Sequence, residues 1–341
     1  MENYPIDIVI TWVDGNDPEW QAEKRKYSGE TGDSRQKRYR EWDNLRYWFR
    51  GIEKYAPWVN KIFFITWGHV PGWLKLEHPK LVIVKHEDYI PEEFLPTFQS
   101  RTIDMNFHRI KDLSEHFVYF NDDMFLINPT TKEDFFVNGL PCDSAVMKPA
   151  GLEDHSDIKK DKPSEVYSAP IFDMLIINRY FRKRETIRKN WRKWFSLKYG
   201  KEAVKNLLLT PWNYFPGFQQ YHVCYSYLKK TYEEVWALEE EDLSEVCRHK
   251  FRVNTDYNHF IFSYWQIAKG EFYPRSPKFG KLGSMSSDKK KNADTLRALR
   301  SRKYKLVCVN DNVGGDDFEK YKKLLNRQLE RLLPDKSSFE R

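Results

Sequence analysis

Two short segments each follow a run of strand-forming residues with adjacent side chains that carry oxygen. The segments read FVYFNDDMF and KLVCVNDN. Adjacent acids in an apolar context are costly to bury unless a metal ion or an ion-pair partner lies beside them. Strand ends meet at one edge of an open α/β sheet, so these oxygens are expected to converge there. The polar residues are Asn121, Asp122, Asp123, Asn310, Asp311 and Asn312.

A single Asn-Asp-Asp needs no metal, because the same residue types end strands and cap turns. The second Asn-Asp at the end of another strand-like run favours a shared ligand site over that interpretation. The sequence therefore predicts a site where the two segments meet.

The first 120 residues alternate between patterns typical of strands and of helices. A fold of the α/β class follows, with a Rossmann-like, mostly parallel sheet and right-handed crossovers. No GxGxxG follows the first strand, which disfavours dinucleotide binding of the dehydrogenase kind. The predicted strands are 6–13, 61–67, 81–84 and 117–120, and the predicted helices are 41–56 and 99–113.

The pattern changes twice along the chain, which predicts three regions. Residues 1–150 form the Rossmann-like region, and 151–279 are helical, aromatic and irregular, as expected for a second lobe or a large insertion. Residues 280–341 return a strand at 305–309 and an amphipathic helix at 318–334, which complete the first domain. Segments 27–40 and 284–295 are predicted to be surface loops.

Composition narrows the class of protein. The chain has 341 residues, a net charge of +7, and an aromatic content of 16% that suits stacking on bases or sugars as well as core packing. No stretch reaches the roughly 20 apolar residues of a membrane span, and the N-terminus lacks a basic signal-peptide region, so a cytoplasmic protein is expected. The four cysteines form no CxxC pair, which predicts ordinary reduced thiols.

A basic stretch lies at 182–201, where nine Lys or Arg accompany one acid and Trp191, Trp194 and Phe195 are interleaved. This composition indicates a surface that rests on anionic lipid or on a polyanionic substrate. A solvated basic face is the alternative. Nucleic acid is not expected as a partner, because the usual recognition modules are missing from the sequence.

Four blocks together resemble the Stealth family, which includes bacterial capsular and receptor polysaccharide phosphotransferases. The blocks read IDIVITWVDGNDP, WDNLRYWFRGIEKYAPWVNKIFFITWGHVPGWL, FVYFNDDMF and KLVCVNDN. The resemblance covers most of 5–130, a looser region around 222–270, and the last strand. Residues 151–215 show no family pattern that can be aligned.

The resemblance implies transfer of an intact sugar-1-phosphate from a UDP-sugar to a hydroxyl, with release of UMP and formation of a phosphodiester. Similarity to the bacterial branch implies a lipid-linked oligosaccharide or polysaccharide acceptor. His222 and Arg252 correspond to the family's His and Arg. A histidine suits removal of the acceptor proton, and an arginine suits bidentate contact with phosphoryl oxygens. His108 is a weaker candidate base, interpreted as support behind the site or as core.

The same chemistry requires a divalent cation, Mg²⁺ or Mn²⁺, that binds the diphosphate and is held by oxygen ligands of the protein. Asp122 and Asp123 would supply them, together with Asn310, Asp311 and Asn312. The end of strand one is where a nucleotide can meet backbone and ring, although Trp12 can equally be core. Asp43 and Arg46 can orient phosphate or metal, or pair with each other on a helix. The substrate-binding candidates are Trp12, Asp14, Gly15, Asp43 and Arg46.

Two other functions stay open at this point. A metal-dependent glycosyltransferase would use the same acids but attack the anomeric carbon and release UDP. A non-catalytic protein that binds carbohydrate or a membrane surface would use the aromatic and basic residues and would have no turnover.

Overall fold

The computed structural model describes residues 4–27, 29, 39–150, 169–253, 255–314 and 317–341. Ten of the 14 residues of the predicted loop at 27–40 lie outside the described residues. The strands in the described residues are β1 (Ile6–Thr11), β2 (Ile62–Thr66), β3 (Leu81–Lys85), β4 (His116–Asn121), β5 (Met124–Leu126), β6 (Phe136–Val137), β7 (Leu140–Asp143), β8 (Tyr225–Leu228), β9 (Tyr273–Pro274), β10 (Gly280–Ser286) and β11 (Leu306–Asn312). The α-helices are α1 (Pro18–Lys26), α2 (Leu45–Tyr55), α3 (Ser100–Met105), α4 (Ala169–Tyr180), α5 (Lys183–Lys189), α6 (Trp191–Trp194), α7 (Ala203–Leu209), α8 (Lys229–Leu238), α9 (Glu240–Arg248), α10 (Phe260–Lys269), α11 (Lys289–Leu299) and α12 (Phe318–Leu332).

The largest sheet has the strand order β3-β2-β1-β4-β8. Its first four strands are parallel, and β8 joins β4 in the antiparallel direction. The predicted α/β fold with a mostly parallel, Rossmann-like sheet is confirmed. Since β8 comes from the helical region 151–279, that region contributes directly to the main sheet, and the three-part domain division stays a prediction.

Both faces of this sheet are covered, as near-continuous apolar strands require. Side chains alternate along β1, so Ile8 and Ile10 pack on one face and Val9 on the other. Helices α2 and α12 contribute to the first core, and α8, α9 and α10 contribute to the second. None of the described helices combines the length and apolarity needed to cross a membrane.

A second sheet of order β10-β11-β5 begins where the main sheet ends. Strand β5 follows β4 after a turn at Asp122 and Asp123, and it pairs with β11 in the antiparallel direction, with Met124 opposite Cys308. A third small sheet contains β6, β7 and β9. The turn between β4 and β5 therefore joins the two larger sheets.

The prediction of a loop at 284–295 is wrong, because the segment forms the end of β10 and most of α11. The Asp288 side chain caps α11 by accepting hydrogen bonds from two backbone amides of its first turn. The Thr295 hydroxyl accepts a hydrogen bond from the Ser284 amide at 2.9 Å, which fixes the helix on the strand. Polar residues thus make contacts that an apolar-periodicity pattern does not register.

The helix predicted at 99–113 is shorter than expected. Helix α3 ends at Met105, and a 3-10 turn follows at Phe107–Arg109. The Asn106 side chain donates a hydrogen bond back to the Thr102 carbonyl at 2.8 Å, and this side-chain contact competes with continuation of the helix.

Candidate functional site

A cleft of about 550 Å³ opens where β1 and β4 end and β11 passes beside them. Asn121, Asp122 and Asp123 line it together with residues 309–312. The Val309 amide donates a hydrogen bond to the Asp123 carbonyl at 2.9 Å, which ties the β4–β5 turn to β11. The predicted convergence of the two Asn-Asp segments is thus present, but it arises through antiparallel pairing of β5 with β11 rather than at the ends of parallel strands.

Asp123 has one satisfied and one unsatisfied carboxylate oxygen. Its Oδ2 accepts a hydrogen bond from the Cys308 thiol at 3.2 Å. Its Oδ1 is shielded from solvent and has no hydrogen-bond partner within the described part of the chain. Burial first, and then the neighbouring Asp123, raise the pKa of Cys308 well above its usual value, so the thiol stays protonated and donates. A buried carboxylate oxygen without a partner fits a cation ligand.

His222 lies beside this carboxylate. One ligand atom from each of Asp123, His222 and Cys308 falls within 4.8 Å of the others. The His222 backbone has φ 48°, in the left-handed region that non-glycine residues adopt at a cost of about 1 to 3 kcal/mol. The adjacent Val223 and Cys224 are buried in the core, which holds the strained residue in place. Strain of this kind clusters at functional sites.

Glu41, Asp122 and Asp123 bring negative charge together in the cleft. Asp122 is exposed to the cleft, but the protein walls remove much of its hydration. This desolvation first, and then the carboxylates of Asp123 and Glu41, raise the pKa of Asp122 to about 8. Desolvation also raises the pKa of Glu41, against the hydrogen bond that the Trp12 indole donates to it at 2.7 Å. A bound divalent cation would relieve this repulsion, so the donor set fits Mg²⁺ or Mn²⁺.

Asp311, one of the predicted ligands, is engaged by Arg40. The guanidinium donates to Asp311 Oδ1 at 2.8 Å and to its Oδ2 at 2.6 Å, and it also donates to the Val313 carbonyl at 3.0 Å. The Trp42 indole adds a contact to Oδ2 at 3.3 Å. The arrangement fixes Arg40 in the cleft wall, while Asn310 and Asn312 also line the cleft.

Arg252 also lines the cleft, on the side formed by residues 97–103. Its Nη2 donates a hydrogen bond to the Ser100 hydroxyl at 2.8 Å. The chain next to it is held by Asp256, whose fully buried carboxylate accepts from the Val253 amide at 2.7 Å and pairs with Arg101 at 3.1 Å. The cleft wall therefore includes a held guanidinium as well as carboxylates, and a guanidinium suits binding of a phosphoryl group.

The other sequence candidates divide into one residue in the cleft wall and several outside it. Trp12 lines the cleft with its ring largely buried. Gly15 permits a close approach, since a Cβ at this position would lie 1.9 Å from the Tyr39 carbonyl oxygen. Asp14 Oδ1 accepts from the Asn16 amide at 2.8 Å. Among the described residues, the cleft wall does not include Asp14 or Gly15.

Asp43, Arg46 and His108 also contact groups elsewhere. Asp43 pairs with Lys322 of α12, in a surface groove separate from the cleft. The Arg46 guanidinium lies over the Trp73 ring, 5.5 Å from its centroid. His108 packs against Trp236, and desolvation lowers its pKa to about 3. The interpretation of His108 as supporting core therefore agrees with its surroundings.

Three residues of the site had no place in the sequence interpretation. Arg40 falls in a charged, breaker-rich segment and Glu41 at the edge of a predicted helix, where neither has a periodic pattern. Cys308 was assigned as an ordinary thiol. One signal was available for Cys308, since residues two apart on a strand face the same side and Cys308 precedes Asn310 by two.

A buried histidine in the cleft wall gives a pH-dependent prediction. Desolvation, with a smaller effect of His69, lowers the pKa of His86 to about 3, whereas an unfolded chain has a pKa of about 6.5. Neutral His86 thus stabilises the fold above about pH 6.5, and this stability is lost as the pH falls towards 3. The quantity to compare is the free energy of unfolding of the native chain and of His86→Gln. We expect the difference, native minus variant, to fall by about 1.4 kcal/mol per pH unit below about pH 6.

Chemical denaturation of both proteins between about pH 7 and pH 4 measures this difference. Taking the difference cancels the contributions of other groups that titrate in both proteins. Asp104 is one such group, because burial raises its pKa to about 7. A difference that stays constant with pH would show that His86 takes up its proton equally in the folded and unfolded chains.

Family models of the Stealth proteins match three segments of the chain. Conserved region 1 matches residues 4–32, conserved region 2 matches 38–142 and conserved region 4 matches 297–341. These segments carry both Asn-Asp motifs and most of the cleft wall. His222 and Arg252 lie outside the three matched segments.

Curated relatives align over the whole chain. The capsular polysaccharide phosphotransferase WcwK of Streptococcus pneumoniae is 43% identical, over 98% of both chains. The receptor polysaccharide phosphotransferase WefC of Streptococcus oralis is 39% identical, over 98% of this chain and 99% of that protein. Among solved structures, the galactosyltransferase LgtC aligns over 97% of this chain and 98% of its own, with 10% identity and a TM-score of 0.40, which is too distant to bear on function.

Proposed function

Because the chain belongs to the Stealth family, we propose that it transfers an intact sugar-1-phosphate from a UDP-sugar to a hydroxyl of a growing cell-surface polysaccharide. The chain is a phosphotransferase by its relationship to whole-length phosphotransferases. The observation that carries the proposed chemistry is Asp123 Oδ1, which has no hydrogen-bond partner among the described residues and has His222 beside it, in a cleft whose wall includes Arg252.

A divalent cation, Mg²⁺ or Mn²⁺, would be held by Asp122 and Asp123 with the amide oxygens of Asn310 and Asn312. Such an ion neutralises the charge of a diphosphate and positions it. We leave Asp311 out of this ligand set, because both of its carboxylate oxygens accept hydrogen bonds from Arg40.

In the proposed reaction, the acceptor oxygen forms a bond to the sugar-linked phosphorus. The bond from that phosphorus to the oxygen of the UMP phosphate breaks, and UMP leaves with the bonding electrons. His222 takes the proton from the acceptor hydroxyl. Arg252 contacts the transferring phosphoryl oxygens, a role for which a guanidinium is better shaped than an ammonium. The product is a phosphodiester between sugar and acceptor.

The aromatic side of the cleft suits the nucleotide. Trp12, Trp20, Tyr39 and Phe98 line it together, and Trp12 is fixed by its hydrogen bond to Glu41. A uracil ring can stack on such a wall while the diphosphate reaches the carboxylates. The acceptor in this proposal is a lipid-linked oligosaccharide or polysaccharide, and the chain acts in the cytoplasm at the inner face of the plasma membrane.

Identification of the released nucleotide tests the proposal directly. The purified chain is incubated with Mg²⁺ or Mn²⁺, a panel of UDP-sugars and a membrane-extracted acceptor, and the products are separated. We expect UMP, with a phosphodiester phosphorus signal in the product. Release of UDP would mean attack on the anomeric carbon and would make the chain a glycosyltransferase. The absence of turnover with every donor would favour a non-catalytic binding protein.

A further inference from the structure

Helix α7 presents three of its five apolar side chains outward. Val204, Leu207 and Leu208 are 53%, 63% and 71% exposed, and they follow the three- and four-residue spacing of one helix face. The residue of α7 that is fully buried is the polar Asn206. Ala203 and Leu209 pack against the core, so the three exposed side chains form an additional apolar face where a surface helix is usually polar.

This orientation of α7 is fixed by hydrogen bonds. The Asn206 amide group donates to the Ala145 carbonyl at 2.7 Å and to the Trp194 carbonyl at 2.6 Å. Its Oδ1 accepts from the Met147 amide at 2.6 Å. These three bonds satisfy a buried polar side chain, so α7 cannot rotate Leu207 and Leu208 inward without leaving Asn206 unpaired.

Exposed apolar side chains also precede and follow α7 along the chain. Leu197 is 97% exposed, on the 3-10 segment Leu197–Glu202 that precedes the helix. Trp212 and Tyr214 are exposed after the helix, with ring centroids 5.8 Å apart. The buried Lys183 ammonium donates to the Trp212 carbonyl at 2.7 Å and also to that of Leu209, which holds the turn. We call this surface the α7 face, consisting of Leu197, Val204, Leu207, Leu208, Trp212 and Tyr214.

Basic residues accompany the α7 face along the chain. Residues 182–214 contain ten Lys or Arg and two Glu. Lys198 and Lys201 are exposed on the segment beside Leu197. The nearer acid, Glu202, pairs with Lys205 at 2.6 Å. The combination of exposed leucines, an aromatic pair and surrounding basic side chains complements an anionic lipid surface.

The sequence placed lipid contact on 182–201 and on its tryptophans. Trp194 does not take part, because it is fully buried and packs against Phe215. Trp191 is exposed. Leu197 lies within 182–201, but the rest of the apolar surface comes from α7 and residues 212–214, which the sequence interpretation did not include.

We propose that the α7 face docks this chain on a bilayer that contains anionic lipid. The leucines and Trp212 enter the boundary between headgroups and acyl chains, and the basic side chains contact the headgroups. A second copy of the chain is a poor occupant, since two such faces carry the same charge. The docking extends the proposed function. It rests on that function in one respect, because a lipid-linked acceptor would lie in the membrane on which the chain docks.

Vesicle flotation tests the docking with the full chain. The vesicles contain phosphatidylcholine alone or phosphatidylcholine with phosphatidylglycerol. We expect the native chain to float with the phosphatidylglycerol vesicles and to be released by high salt. The double substitution Leu207→Gln with Leu208→Gln should lower partitioning at least about tenfold, because each leucine loses its apolar transfer energy. Both side chains are exposed, so folding should be unaffected, which circular dichroism and thermal unfolding verify.

The matched control is the double substitution Leu238→Gln with Leu282→Gln, two leucines that are exposed elsewhere. Equal loss in the control, unchanged binding in the α7 variant, or failure of the native chain to prefer phosphatidylglycerol would each overturn the docking. Transfer to a short, water-soluble acceptor fragment is measured in parallel, and the α7 variant should keep the native rate. Release of UDP instead of UMP would refute the proposed function and leave the flotation result standing.

Discussion

Replacing Asp123 with Asn should lower the rate of sugar-1-phosphate transfer by about a thousandfold and leave the chain folded. The substitution keeps the size of the side chain and an oxygen that can accept from the Cys308 thiol. It removes the charge on Oδ1, the buried atom that has no partner among the described residues. It also removes one of the charges that repel Asp122, so the thermal midpoint should stay the same or rise.

Two measurements separate loss of the ion from loss of the fold. Binding of Mn²⁺, followed by electron paramagnetic resonance, should weaken in Asp123→Asn in parallel with the transfer rate. The matched control is Asp294→Asn, which alters an exposed carboxylate of α11 that pairs with Arg297. Native activity in Asp123→Asn, or native Mn²⁺ affinity together with lost activity, would remove Asp123 from the proposed ligand set.

Replacing His222 with Asn should lower the transfer rate by about 10²- to 10⁴-fold, the usual contribution of a general base. Asn is chosen because it tolerates the left-handed backbone that His222 adopts, so the change tests the imidazole rather than the loop. Mn²⁺ affinity should remain near that of the native chain, since the proposed ligands are all retained. The rate is measured as UMP released under single-turnover conditions.

A second substitution tests whether His222 has a purely structural role. Gly adopts positive φ without strain, so His222→Gly should fold at least as readily but remain inactive. A matched control is His78→Asn, which lies outside the cleft and contacts Ser338 at 3.0 Å. If His222→Gly kept the native rate, the histidine would serve neither as base nor as ligand. If Mn²⁺ affinity fell with the rate in His222→Asn, the residue would be a metal ligand rather than the base.

The sequence located the carboxylate half of the cleft because strand ends carry visible patterns. Asn121 to Asp123 directly follow an apolar run, and so does Asn310. The candidates His222 and Arg252 came from the family resemblance, since nothing in the local sequence pattern around either residue indicates a site. The strain at His222 is a backbone property that appears only once the core on either side is formed.

Arg40 and Glu41 could not be predicted because their roles depend on distant partners. Arg40 meets Asp311 across 271 residues of sequence. Glu41 meets Trp12 at a strand end and Asp122 at a turn. Local propensity carries no information on such pairings. Arg40 lies at the end of a segment without apolar periodicity, and Glu41 directly follows it.

Helix α7 shows a second limit of periodicity. A spacing of three and four residues identifies a helix face, but the choice of which face turns inward depends on what the interior offers. Here the interior contains the carbonyl groups of Ala145 and Trp194, which accept hydrogen bonds from Asn206 and so favour burial of that residue. A pattern-based interpretation would place Leu207 and Leu208 in the core.

The pairing of β5 with β11 has a consequence for how the protein is made. Cys308 contacts Asp123 across 185 residues of sequence, so the cleft stays incomplete until the ribosome has released the last strand. In the described part of the chain, β11 is the strand that β5 pairs with, and during synthesis this edge lacks its partner. An unpaired apolar edge invites intermolecular pairing. We therefore expect chains truncated before residue 306 to accumulate as aggregates rather than as soluble, inactive enzyme.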